Sequence, residues 1–197
     1  FDININKEEA RRKLNLPQDK KIVLYSGQLY SWKGTETLAS AAPLLPETLF
    51  VFVGGIDPEF SLFKEKYAKT ENIKIIPFQE REIIPIYLKC ADVLVLPNSS
   101  KEKISVRYTS PLKLFEYMAS KVPIVASDLP SIREAVSEKE CFFAEADNPE
   151  SFVKSIQEVL SDPKFSRNIA INAFEKASKY SWRERAKNIL ELIKKKE

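Results

Sequence analysis

Ile22-Val23-Leu24-Tyr25, running directly into Ser26-Gly27, is apolar at successive positions rather than alternate ones. A strand of that kind buries both faces, as a parallel sheet covered by helices requires. Related runs follow at Leu49-Phe50-Val51-Phe52-Val53, Ile73-Lys74-Ile75-Ile76, Val93-Leu94-Val95-Leu96, Ile124-Val125-Ala126 and Phe142-Phe143-Ala144. Between them lie longer amphipathic stretches near 35–43, 57–69, 80–90, 111–120, 130–137 and 149–161. Strand and helix alternating in this way predict an α/β fold, a Rossmann-like doubly wound parallel sheet of about six strands. A short helix over 7–14 leads into the first strand. From Pro163 to Lys195 the chain reads as two C-terminal helices with no further strand. Asp162-Pro163 marks the start of the first, and Ser181 is the expected N-cap of the second. No repeat or low-complexity segment divides the chain, so a single domain over 1–197 is expected.

Composition excludes several kinds of chemistry. The chain has no histidine, and so no imidazole base, no Ser-His or Cys-His pair and no His-ligated metal. Its four glycines, Gly27, Gly34, Gly54 and Gly55, form neither G-x-G-x-x-G nor G-x-x-x-x-G-K-[ST], so a Gly-rich phosphate cradle is excluded. A net charge of +3 is too small for a dedicated nucleic-acid binder, although a local phosphate site remains compatible with it. Cys90 and Cys141 lie far apart beside apolar stretches. They read as buried reduced thiols, which favours a cytoplasmic location. No window approaches the roughly 18 apolar residues of a membrane span. The chain opens on Phe1, which leads us to expect a fragment or a processed chain.

Ligands of open parallel sheets bind beyond the carboxyl ends of the strands, so the loops there are the places to search. After the first run, Gly27 lets backbone approach a ligand, and Lys33 precedes a helix opening at Gly34-Thr35. A lysine there can meet a phosphate at the helix N-terminus, or it can simply be solvated. After the third run, Pro77-Phe78-Gln79 can wall a base pocket or form a plain strand-end turn. After the fourth, 99–107 reads as a mobile solvated loop, the alternative being closure over a phosphate. In Tyr108-Thr109-Ser110-Pro111-Leu112-Lys113-Leu114-Phe115-Glu116, Ser110 is an N-cap candidate and Pro111 suits the first turn. Lys113 then sits where the helix dipole disfavours a cation, which makes sense if an anion binds at that helix end. Glu116 can pair with Lys113 or accept hydrogen bonds from a ribose diol. The Arg183–Lys195 segment is amphipathic. It reads as a helix docked on this or another domain, with a membrane-surface helix as the alternative.

In order and spacing these segments resemble the C-terminal half of GT-B-fold glycosyltransferases of family 4, also called group 1. The resemblance runs through nearly the whole chain. It is carried by Glu8-Glu9-Ala10-Arg11-Arg12-Lys13-Leu14-Asn15-Leu16-Pro17, the first strand with Gly27, Lys33-Gly34, Val51-Phe52-Val53-Gly54-Gly55 and Ala91 to Asn98. It continues through Ser110 to Met118, Pro123-Ile124-Val125-Ala126-Ser127-Asp128 and Tyr180-Ser181-Trp182.

The resemblance implies the sugar-nucleotide donor domain of a retaining, hexose-type transferase. The N-terminal domain with most of the acceptor site would be missing, and this half alone would be inactive. Catalytic residues are left unassigned. Lys33 matches the family lysine on the donor phosphates, and Glu116 the second, ribose-binding glutamate of E-x7-E. Gly27, Gln28, Ser110, Pro111, Leu112 and Lys113 fall at the donor phosphates, Phe78 and Gln79 at the base, and Tyr108 and Thr109 at the transferred sugar. The expected partners are a nucleoside-diphosphate sugar and the absent domain, with no nucleic acid. No cofactor or metal is expected, and peripheral contact at the inner face of the membrane is a further expectation. Three positions depart from the family: Gln28 replaces an arginine, Tyr108 the first glutamate, and Lys121 a frequent glycine. Tyr108 marks either a subgroup or a site that has lost competence. A non-catalytic nucleotide-binding or interaction module, or another sugar-nucleotide enzyme such as an epimerase, therefore stays open.

Overall fold

The computed structural model of the chain describes residues 3–108, 112–180 and 182–194, excepting the side chain of Tyr108 and several in the last helix. Six strands, β1 (Lys21–Ser26), β2 (Thr48–Val53), β3 (Ile73–Ile76), β4 (Val93–Leu96), β5 (Ile124–Ser127) and β6 (Phe142–Ala144), form one sheet in the order β3-β2-β1-β4-β5-β6. Every pairing is parallel. β2, β4 and β5 are buried throughout, and β1 from Ile22 onward, which is why their sequences carry no polar face. β3 lies at the edge and is fully buried only at Ile73.

Side chains alternate between two apolar layers, as the pleat requires. Leu24, Leu94 and Ile124 face one layer; Val23, Tyr25, Phe50, Phe52, Val95 and Val125 face the other. The first layer is covered by α1 (Lys7–Lys13), α4 (Ile84–Cys90), α5 (Leu112–Ala119) and the short α6 (Pro130–Arg133). The second is covered by α2 (Thr35–Ala41), α3 (Glu59–Tyr67) and α7 (Pro149–Ser161). α8 (Pro163–Ala177) packs on α5, and α9 (Trp182–Lys194) follows it. Asp162 accepts the Phe165 amide at the start of α8, as its sequence predicts. The Ser181 cap lies outside the described residues.

Two helix starts and ends differ from their sequence reading. The 80–90 stretch becomes helical only at Ile84, where Pro85 suits the first turn; before it, Ile83 N–H closes a turn on the Glu80 carbonyl. α6 ends at Arg133 rather than near 137. The guanidinium of Arg133 is held by Asp128 and Glu138, both exposed carboxylates of the flanking loops.

At the amino end of the sheet, Arg11 and Asp92 tie α1 to β1 and β4. Arg11, only 4% exposed, donates to Asp92 at 2.7 Å and to the carbonyls of Cys90 and Lys20. Asp92 also accepts from the Ile22 amide at 2.8 Å and from Lys7 at 2.7 Å. Burial alone would raise the Asp92 carboxyl, but Lys7, the Ile22 amide and Arg11 hold it below its usual value. Cys90 and Cys141 are buried free thiols, both pushed up by burial, Cys90 to about 12. Among the described residues no helix is long and apolar enough to cross a membrane.

Candidate functional site

Chain order runs outward in both directions from β1, to β2 and β3 on one side and to β4, β5 and β6 on the other. That divergence opens a crevice above the carboxyl ends of the central strands. Two hollows occupy it. One, of about 260 Å³, is bounded by Gly27, Gly54, Phe78, Gln79, Arg81 and Glu116 among others. The other, of about 400 Å³, lies between Tyr30, Trp32, Lys33, Asn98 and Leu112. Gln28, Lys113 and Glu116 line both, so the two form one continuous cleft.

Backbone geometry at the end of β1 shapes its floor. Gly27 N–H donates to the Val53 carbonyl at 2.8 Å and prolongs the β1–β2 ladder. The chain then turns with Gly27 at φ 134°, a conformation for glycine alone. A Cβ here would strike the Nζ and Cε of Lys113. The bare backbone of Gly27 therefore lets the Lys113 side chain lie across the strand end.

The Lys113 ammonium sits 3.9 Å from the Tyr25 ring centroid. Its nitrogen is buried and has no hydrogen-bond partner among the described residues. Burial, and then repulsion from Lys33, depress its pKa well below the usual lysine value. The i,i+3 ion pair with Glu116 does not form; Glu116 acts on Lys113 only through space. Burial raises the Glu116 carboxyl, against the opposing pull of Lys113 and Arg81. Both residues belong to α5, which is anchored to β1: the Tyr117 hydroxyl accepts from Ser26 N–H at 2.9 Å.

Lys33 ends a single 3-10 turn, Ser31–Lys33, which is closed by Gly34 at φ 66°. A Cβ on Gly34 would collide with the Pro97 carbonyl, so glycine lets this turn press against the loop after β4. The Lys33 ammonium rests 3.7 Å from the Trp32 ring centroid, its pKa lowered by burial. Two ammonium groups and one carboxylate thus line the 400 Å³ hollow. Chemically the cleft suits a multivalent anion at Lys33 and Lys113, next to a hydrogen-bond acceptor for hydroxyls at Glu116.

The structure brings Gly27, Gln28, Lys33, Phe78, Gln79, Leu112, Lys113 and Glu116 together around this cleft. Phe78 is 55% exposed and presents an open ring. Thr109, Ser110 and Pro111, and the side chain of Tyr108, lie outside the described residues. The 99–107 stretch is tied down more than a solvated loop: Ser100 donates to Asp147, Ser131 donates to the buried Ser105 carbonyl, and Ile104–Tyr108 form a π-helical turn. Arg81, Asn98, Tyr30 and Trp32 were not singled out in the sequence. Arg81 and Asn98 could have been found, because each closely follows a strand whose carboxyl end the fold points at the site. Among the described residues no group of three or more Cys, Asp or Glu is placed to hold a metal ion.

The family model described as glycosyl transferases group 1 matches residues 6–176. An uncharacterised glycosyltransferase of Methanocaldococcus jannaschii is 30% identical over 98% of this chain and 50% of its own length. This chain thus spans about half the length of that curated relative. Among solved structures it is similar to a sucrose-phosphate synthase from Thermosynechococcus elongatus, with TM-score 0.80 and 25% identity over 94% of this chain and 48% of that one. It also shares its fold with HepE of Anabaena in complex with UDP and glucose, with TM-score 0.72 and 21% identity over 86% of this chain and 46% of that one.

Proposed function

Since the chain belongs to the group 1 glycosyl transferases, we propose that it is the donor-binding, C-terminal half of a two-domain retaining transferase for a hexose-type sugar. One observation carries this reading: a buried lysine ammonium, Lys113, without a hydrogen-bond partner among the described residues, beside a second lysine in an open cleft. A nucleoside diphosphate supplies the missing acceptors, and the UDP bound by HepE supports that ligand class.

In this reading Lys33 and Lys113 hold the two phosphates, together with Gln28, the bare backbone of Gly27 and the turn at Ser110, Pro111 and Leu112. Glu116 accepts from the ribose diol. Phe78 stacks on the base while Gln79 and the neighbouring backbone read its edge. Tyr108 and Thr109 face the sugar. As the glycosidic bond breaks, negative charge grows on the departing diphosphate, and the two ammonium groups stabilise it there without a metal ion. The apolar face of α9, where Ile189, Leu190 and Ile193 are exposed, docks on the N-terminal domain that carries the acceptor site. The isolated chain binds nucleotide and transfers no sugar. Buried reduced thiols fit a cytoplasmic setting. Gln28 and Tyr108 favour a second reading, a nucleotide-binding module that has lost transfer.

Calorimetry with UDP tests the binding role. Replacing Glu116→Ala removes a charge-assisted acceptor worth about 1.5–3 kcal/mol, a loss of roughly 10- to 150-fold in affinity. Unchanged affinity would remove Glu116 from the ribose site. Transfer by the two-domain protein from a panel of sugar nucleotides then separates enzyme from module.

A further inference from the structure

The opposite end of the sheet holds a larger hollow, of about 730 Å³, where β1, β4 and β5 begin and the corner between α7 and α8 passes over them. Its rim carries five cations, Lys7, Lys21, Lys89, Lys121 and Arg167, against the single carboxylate of Asp92. That carboxylate is already engaged by Lys7 and Arg11, each at 2.7 Å. Among the residues that line it, cations outnumber carboxylates five to one. Such focusing raises the local concentration of anions.

One further feature points the same way. Neither Lys21 nor Arg167 forms an ion pair with any described carboxylate. Pro163, Ser166 and Arg167 bring the first turn of α8 to the hollow, with the Asp162 carboxylate capping that helix end. Beneath the rim the floor is apolar, formed by Val122, Val159, Leu160 and Ile171.

We propose that this hollow is a second anion site, taking a phosphate-bearing ligand with an apolar portion. Phosphate meets the cations, and the apolar portion lies on the floor. A soluble phosphate ester and a lipid headgroup share this chemistry.

Hexyl phosphate is the probe, with amide chemical shifts of the chain as the readout. Shifts at Lys121, Val122, Arg167 and Ile171, and tighter binding than inorganic phosphate, are expected. Lys21→Glu combined with Arg167→Glu should weaken binding at least tenfold and leave UDP affinity and Tm unchanged. Both side chains are exposed, and the shift map of the unsubstituted chain stands without any variant. Shifts confined to the cleft around Gly27 and Lys113, or a charge-reversed variant that binds as well as the original, would overturn the proposal. Sedimentation with phosphatidic acid vesicles but not phosphatidylcholine vesicles, lost in the double variant, identifies a lipid headgroup as the source. Hexyl phosphate binding without vesicle binding identifies a soluble ester.

Discussion

Lys113→Met separates a ligand-binding lysine from a structural one, because it should move stability and binding in opposite directions. Methionine keeps an unbranched apolar stem of similar length and removes the ammonium. In the free protein that ammonium is buried, has no hydrogen-bond partner among the described residues and is repelled by a second lysine. Taking an ion out of water costs several kcal/mol, while the Tyr25 face, at 3.9 Å, returns about 2 kcal/mol. The unliganded fold is therefore strained by Lys113. The substitution should stabilise it by about 1 kcal/mol or more, which raises Tm by about 2–4 °C per kcal/mol in a chain of this size. The sign with pH is fixed as well. A lysine whose folded pKa is depressed destabilises the fold below that pKa, and the penalty fades as pH climbs towards the unfolded value of about 10.4. The gain from Lys113→Met should accordingly shrink in alkali. UDP affinity should fall, by roughly 10- to 150-fold for a lost charge-assisted contact of about 1.5–3 kcal/mol. Thermal melts from neutral to alkaline pH and calorimetry at neutral pH give both readings. A lower Tm with unchanged UDP affinity would refute the reasoning and make Lys113 a packing strut.

UDP binding should have a compressed pH range: burial raises the Glu116 carboxyl and depresses the Lys33 and Lys113 ammonium groups. Affinity is then lost on acidification above the ordinary carboxylate range, and in alkali below the ordinary lysine range. Because UDP itself titrates on the acid side, the readout is the difference between the original chain and Glu116→Gln, which should lack the protein's share of the acid limb. Asp92→Ala should destabilise the fold by about 3–5 kcal/mol in urea titration, since it leaves Arg11 as a buried uncompensated charge. A loss below about 1 kcal/mol would mean that water reaches Arg11 and replaces the carboxylate.

The fold was legible because its strands are buried on both faces. Runs such as Phe50-Val51-Phe52 and Val93-Leu94-Val95 admit few other settings, and each became a strand. Helix ends were read less well. Pro85 delays α4 to Ile84, and α6 stops at Arg133, whose guanidinium is held by carboxylates five residues away on either side. In the cleft, Gly27, Lys33, Lys113 and Glu116 could be read from their places after strands and at a helix start. What could not be read was their mutual geometry. That Lys113 crosses Gly27 to reach Tyr25, rather than pairing with Glu116 one turn away, depends on contacts between distant segments. The cationic hollow was illegible for the same reason: Lys7, Lys21, Lys89, Lys121 and Arg167 are scattered through the sequence and meet only where parallel strands share their starting edge.

The cleft is not supported evenly. Gly27 and Lys113 rest on β1, which is flanked on both sides and buried from Ile22 onward. Phe78, Gln79 and Arg81 hang from β3, an edge strand only partly covered. Substitution near Gly27 disturbs the ladder between β1 and β2 and the core beneath it, whereas the loop after β3 can exchange residues, lengthen or shorten with little cost to folding. A substitution on the cation-lined wall is thus felt by the core as well as by the ligand, whereas one on the aromatic wall is felt by the ligand alone.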